Sequence, residues 1–108
     1  MPHEVVANWN DADAAVEVAL HQVQMALEHE EISPDELERR YYLVTITDEP
    51  AQLTLRRQTV EPGPQPITFE ASVGRFGDPA RESRLIRAVR HRMKVLVGKT
   101  HAPVTEPR

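Results

Sequence analysis

Ser33-Pro34-Asp35-Glu36-Leu37-Glu38-Arg39-Arg40-Tyr41-Tyr42-Leu43-Val44-Thr45-Ile46-Thr47 changes period partway along. Ser33 is a good helix cap, Pro34 suits a first helical position, and Glu36 stands three residues after the cap, so the opening predicts a short helix through Arg40. From Tyr41 the period becomes two and β-branched and aromatic residues dominate, which predicts a strand. Which of Tyr41/Leu43 and Tyr42/Val44/Ile46 faces a core is a register question that a one-residue slip inverts.

Toward the C-terminus, Asp48-Glu49-Pro50-Ala51 is turn chemistry, and Leu53 and Leu55 alternate with polar neighbours in a second strand reaching about Val60. Pro62, Pro64 and Pro66 interrupt the chain, because proline lacks a donor and fixes φ. Ile67, Phe69, Ala71 and Val73 then alternate with Thr68, Glu70 and Ser72, the pattern of a sheet wet on one face. Gly74-Arg75-Phe76-Gly77 reads as a strand-to-helix turn. Asp78-Pro79 caps a last helix that places Leu85, Ile86, Val89, Met93, Leu96 and Val97 on one arc and ends at Gly98.

Toward the N-terminus, Asn8-Trp9-Asn10-Asp11 is a helix entrance. Val16, Leu20, Val23 and Leu27 follow at helical spacing, widened by Ala12, Ala15, Ala19 and Ala26, so one long helix is expected up to the acidic run near Glu28 to Glu31. Val5-Val6-Ala7 is too short to serve as the apolar region of a signal segment. The expected fold is α+β. It is a two-layer sandwich in which a three-stranded antiparallel meander carries two long helices on one face, in the order α, short α, β, β, β, α. Residues 1–98 make one domain and residues 99–108 a mobile tail.

Composition bounds function. A chain of 108 residues with 40% hydrophobic residues and no cysteine is expected to be an ordinary globular protein without thiol chemistry or cysteine-ligated metal. No signal segment follows the polar Pro2-His3-Glu4, so a cytoplasmic setting and no membrane partner are expected. The charge is split. Residues 1–50 hold 12 acids against Arg39 and Arg40, while residues 51–108 hold 5 acids against 11 Lys/Arg. Pairing of the acidic face of the first helix with the basic face of the last would resolve that division inside the fold.

Arg81, Arg84, Arg87, Arg90 and Lys94 recur every three or four residues, and guanidinium forks suit carboxylates and phosphates. They are the candidate partner-binding face. Ala14, Val18 and Met25 form a second apolar strip on the first helix and are the candidate oligomer contact. No catalytic residue, metal ligand or cofactor is expected, since Glu17, His21 and Glu28 on one helix do not close a coordination sphere. An enzymatic reading requires a cleft gathering His21, His29 or His91 with carboxylates. The leading expectation is a non-enzymatic interaction module that binds itself or another protein. Nucleic-acid backbone binding through the arginine-rich helix is the alternative, and it sits less well with a net charge of −4.

The expected order of helix, three strands and helix is similar to that of double-stranded RNA-binding domains, as is Gly63-Pro64-Gln65-Pro66 ahead of Phe69. The likeness stops at element order. That family's loop histidine has no counterpart beside Gln65-Pro66, its lysine-rich helix start reads here as Pro79-Ala80-Arg81-Glu82-Ser83-Arg84, and the loop falls one strand late.

Overall fold

The computed structural model describes residues 3–101. Five strands and two helices follow one another as β1 (His3–Asn8), a single 3-10 turn (Trp9–Asp11), α1 (Ala12–Val23), β2 (Met25–Ile32), β3 (Glu38–Thr45), β4 (Pro50–Arg57), β5 (Pro64–Val73) and α2 (Pro79–His101). The strands form one antiparallel sheet in the order β1-β5-β4-β3-β2. The α+β class holds, but the expected three-stranded sheet is replaced by a five-stranded one, and the short second helix does not form. With a strand before the first helix, the element order shared with double-stranded RNA-binding domains is lost too.

Each departure has a local cause. The first helix stops at Val23 because Gln24 turns left-handed, with φ 60° and ψ 51°, and its N–H closes on the Leu20 carbonyl. Met25-Ala26-Leu27-Glu28 is built of good helix formers, so propensity favours more helix. Pairing with β3 overrides it. Met25 lies opposite Thr45 and Leu27 opposite Leu43, and after a bulge between Leu27 and His29, Glu30 faces Tyr41 and Ile32 faces Arg39. We expect Gln24→Gly to stabilise the fold by about 1 kcal/mol, since glycine adopts φ > 0 without steric cost. In an uninterrupted helix the same change would instead cost about 1 kcal/mol, and urea melts distinguish the two.

Ser33 and Asp35 use capping chemistry to close the β2–β3 turn instead of a helix. The Ser33 hydroxyl donates to Asp35 Oδ1 at 2.6 Å, which also accepts the Leu37 N–H at 3.0 Å, while the Glu38 N–H donates to Ser33 Oγ at 3.1 Å. Strand β1 escapes the sequence pattern because it is short and its apolar inward positions are Val5 and Ala7, opposite Ile67 and Gln65. Strand β5 starts three residues earlier than expected. Its Pro64 and Pro66 are tolerated because β4 ends at Arg57, opposite Ile67, so the prolines pair with β1 alone.

The last helix begins at Pro79 as read. The Arg81 N–H donates to Asp78 Oδ1 at 3.2 Å, and Glu82 Oε2 accepts from the N–H groups of Asp78 and Val73 at 3.0 Å each. Gly98 does not stop it, and the helix runs to His101. The expected tail beyond residue 101 lies outside the described residues.

Both helices lie on one face of the sheet. Val16 and Leu20 of α1 and Leu85, Ile86, Val89 and Met93 of α2 share one buried cluster with Tyr41, Leu43, Leu53, Leu55, Ile67, Phe69 and Val73. The register question is thereby answered. Tyr41 and Leu43 belong to the core and not to the wet face, which carries Tyr42 and Val44. Among the described residues, no helix is long and apolar enough to cross a membrane.

Candidate functional site

Helix α2 packs on β1, β5 and α1, while α1 leans toward β2 at the far edge and does not cover it. Leu27 and Ile32 point to the helix side of β2, yet they remain 49% and 51% exposed. Between α1 and β2 lies a groove of about 530 Å³. Val16 and Leu20 form one wall, Met25 and Leu27 the other, and Tyr41 contributes to the lining. Asp13, Glu17 and His21 line the helix side at four-residue spacing, and Glu30 joins them from β2. The groove exists only because the chain leaves the helix at Gln24 and returns as a strand.

The acidic end is organised around Asp13. Its Oδ1 accepts from the Tyr41 hydroxyl at 2.8 Å and from Arg39 Nη1 at 3.5 Å. Burial first and Asp13 second push the Tyr41 phenol well above its usual pKa, so it is a neutral donor across the physiological range. Burial first, then the charge and hydrogen bonding of Asp13, hold the Glu30 carboxyl above its ordinary 4.5, with Arg39 opposing. The folded state therefore keeps a proton on Glu30 that the unfolded chain has already released just above that pH. Stability from this proton is complete below 4.5 and is lost as pH rises through the folded value. Glu30→Gln is expected to raise the urea midpoint at pH 7 and flatten the profile above pH 4.5. An unchanged slope would contradict the arrangement.

This cluster offers an anchored anion, further carboxyl groups from Glu17 and Glu30, and an apolar wall. That combination complements a cationic group carried on an apolar body. His21 does meet carboxylates here, while His29 stacks on Tyr42 across the sheet and His91 is exposed on α2. His21 has no side-chain hydrogen bond among the described residues, so nothing there orients it as a general base. No group of three or more His, Asp or Glu side chains among the described residues is placed to hold a metal ion.

The candidate partner-binding face is divided. Arg81 turns to Glu49 at 2.8 Å and Asp78 at 3.9 Å, and Arg90 is half-buried. Arg84, Arg87 and Lys94 are exposed and make no ion pair among the described residues. The candidate oligomer strip is split too, since Ala14 and Val18 stay on α1 whereas Met25 moves to β2 and lines the groove. No ion pair joins α1 to α2 among the described residues. The halves of the chain meet instead through Glu38 with Arg56 at 3.1 Å and Glu49 with Arg81, which leaves Asp13, Glu17 and Glu30 beside the groove.

The open face of the sheet satisfies itself. Arg56 bridges Glu70 at 3.0 Å and Glu38, Arg40 meets Glu38 at 2.7 Å, and the Tyr42 hydroxyl donates to Glu31 at 3.0 Å. A second feature that the sequence reading missed lies at the start of α1. Arg39 and Arg57 place their guanidinium carbons 5.1 and 4.6 Å from the centre of the Trp9 ring, and Arg57 Nε donates to the Glu36 carbonyl at 3.0 Å. The signal was a pair of arginines at inward positions of strands otherwise filled by Leu and Tyr. No protein-family model matches the chain, and no curated protein sequence matches it significantly.

Proposed function

We propose that this chain is a small, non-enzymatic, cytoplasmic interaction module whose working surface is the groove between α1 and β2. The observation that carries the reading is one juxtaposition: the half-exposed Leu27 and the partly buried Met25, backed by the buried Val16 and Leu20, line a groove beside Asp13, Glu17 and Glu30. Its partner is a segment that presents a large apolar side chain next to an arginine or lysine. The apolar wall supplies affinity by burial, and the carboxylates select the sign of the neighbouring charge.

An NMR titration of dilute protein with an Arg-Phe peptide, capped at both ends, tests this. Amide shifts confined to α1 and β2, absent with the Glu-Phe analogue and abolished by Leu27→Glu, are expected. Equal shifts from both peptides, or none, would overturn the proposal.

Nucleic-acid binding through α2 is the second reading, favoured by Arg84, Arg87 and Lys94 standing exposed without ion-pair partners among the described residues. It requires affinity for duplex RNA or DNA that falls steeply with salt and disappears in the Arg84→Glu/Arg87→Glu double variant.

A further inference from the structure

Phe76 is 99% exposed, the most exposed large apolar side chain among the described residues. A lone surface apolar residue is ordinary, but this one is held out by a pinned loop. Gly74 and Gly77 flank it at φ 78° and 83°, where other residues are strained. The Gly74 N–H donates to the Pro50 carbonyl at 2.8 Å, Glu82 Oε2 ties Val73 to Asp78, and Arg81 bonds Glu49 at the same end. Beside Phe76 stands Arg75, exposed and without an ion pair among the described residues.

We propose that the occupant of the groove is a second copy of this chain, which inserts Phe76 between α1 and β2 and sets Arg75 against Asp13, Glu17 and Glu30. The inference rests on the function proposed above and names its partner. Apolar knob meets apolar groove, a cation meets an acidic rim, and about 530 Å³ is ample for a phenyl ring. Phe76 cannot fill the groove of its own chain, because its ring is bare and its loop is tied to β4, with β3 lying between β4 and β2.

The sheet also places knob and groove for exchange in both directions. Val73 pairs with Ala51, Ala51 with Leu43, and Leu43 with Leu27, so the start of the loop and the groove lie on one cross-strand row. Three interstrand spacings, about 14 Å in all, separate them. A twofold axis lying outside the molecular surface, alongside that row and between the two, lets each copy give a Phe76 and receive one, which closes a dimer and leaves no free site for chain growth.

Sedimentation velocity of the full chain over a range of concentrations tests the inference. The wild-type protein is expected to dimerise. Phe76→Asp and Leu27→Glu should each weaken dimerisation by roughly thirtyfold or more, the loss typical of a central interface anchor, with unchanged circular dichroism. Mixing the two variants should restore part of the association, because Phe76 of the Leu27→Glu chain still fits the intact groove of the Phe76→Asp chain. A wild-type chain that stays monomeric, a Phe76→Asp protein that dimerises normally, or a mixture that regains nothing would overturn the proposal. In the monomeric case, a positive Arg-Phe titration leaves the groove reading standing and removes only the self-partner, while a negative one removes both.

Discussion

Trp9→Ala is expected to cost about 3–5 kcal/mol, measured by urea unfolding followed by circular dichroism. The indole is 5% exposed and lies just before α1, against Arg39 at the start of β3 and Arg57 at the end of β4. Its removal opens a cavity and also strips the ring from two guanidinium groups. Burial first and the like charge of Arg39 second already lower the Arg57 pKa, so the cations sit close at some cost and the indole face offsets part of it. Trp9→Phe keeps an aromatic face and should cost less than half as much. Equal losses for the two variants would mean that the ring's contact with Arg39 and Arg57 contributes nothing.

Phe69→Ala should cost a similar 3–5 kcal/mol. Phe69 is fully buried on β5, between Leu55 of β4 and the first strand, on the face that both helices cover. The lost ring removes packing from the part of the sheet against which α2 rests. A loss below about 1 kcal/mol would show that α2 does not rest on that floor. Phe76→Asp, compared with wild type at concentrations too low for association, is the matched control, because a bare side chain contributes no burial in the monomer.

Legibility of this fold in its sequence followed the strength of local periodicity. Strand β3 from Tyr41 onward, the middle of β4 and β5, and the capped start of α2 were readable because their patterns run unbroken and their turn residues agree with them. Strand β2 was not. Its Ala, Leu and Glu residues favour helix, and the evidence against helix is one backbone angle at Gln24 together with hairpin pairing to β3, from Ile32 opposite Arg39 to Met25 opposite Thr45. Ser33-Pro34-Asp35-Glu36 misled for a related reason, since a Ser or Asp side chain serves a helix start and a hairpin turn by the same hydrogen bonds. Strand β1 is short and exists only because β5 offers it an edge.

The candidate site suffered from the same gap. Asp13, Glu17 and His21 were visible as neighbours on a helix, but Glu30, Leu27 and Tyr41 join them only once β2 folds back beside α1. The basic residues of α2 were visible as a helical stripe, but Arg81 leaves it for Glu49, and the expected pairing with the first helix was not realised. Glu38 and Glu49 took Arg56 and Arg81 instead, and which acid reaches which arginine depends on strand register.

Everything proposed for the groove depends on residues 25–32 being a strand beside β3. Cross-strand nuclear Overhauser contacts measured on the labelled protein test that most directly. We predict a contact between the backbone protons of Leu27 and Leu43, with strand-like shifts from Met25 to Ile32. Sequential helical contacts from Val23 through Glu28, with no Leu27–Leu43 contact, would contradict the account.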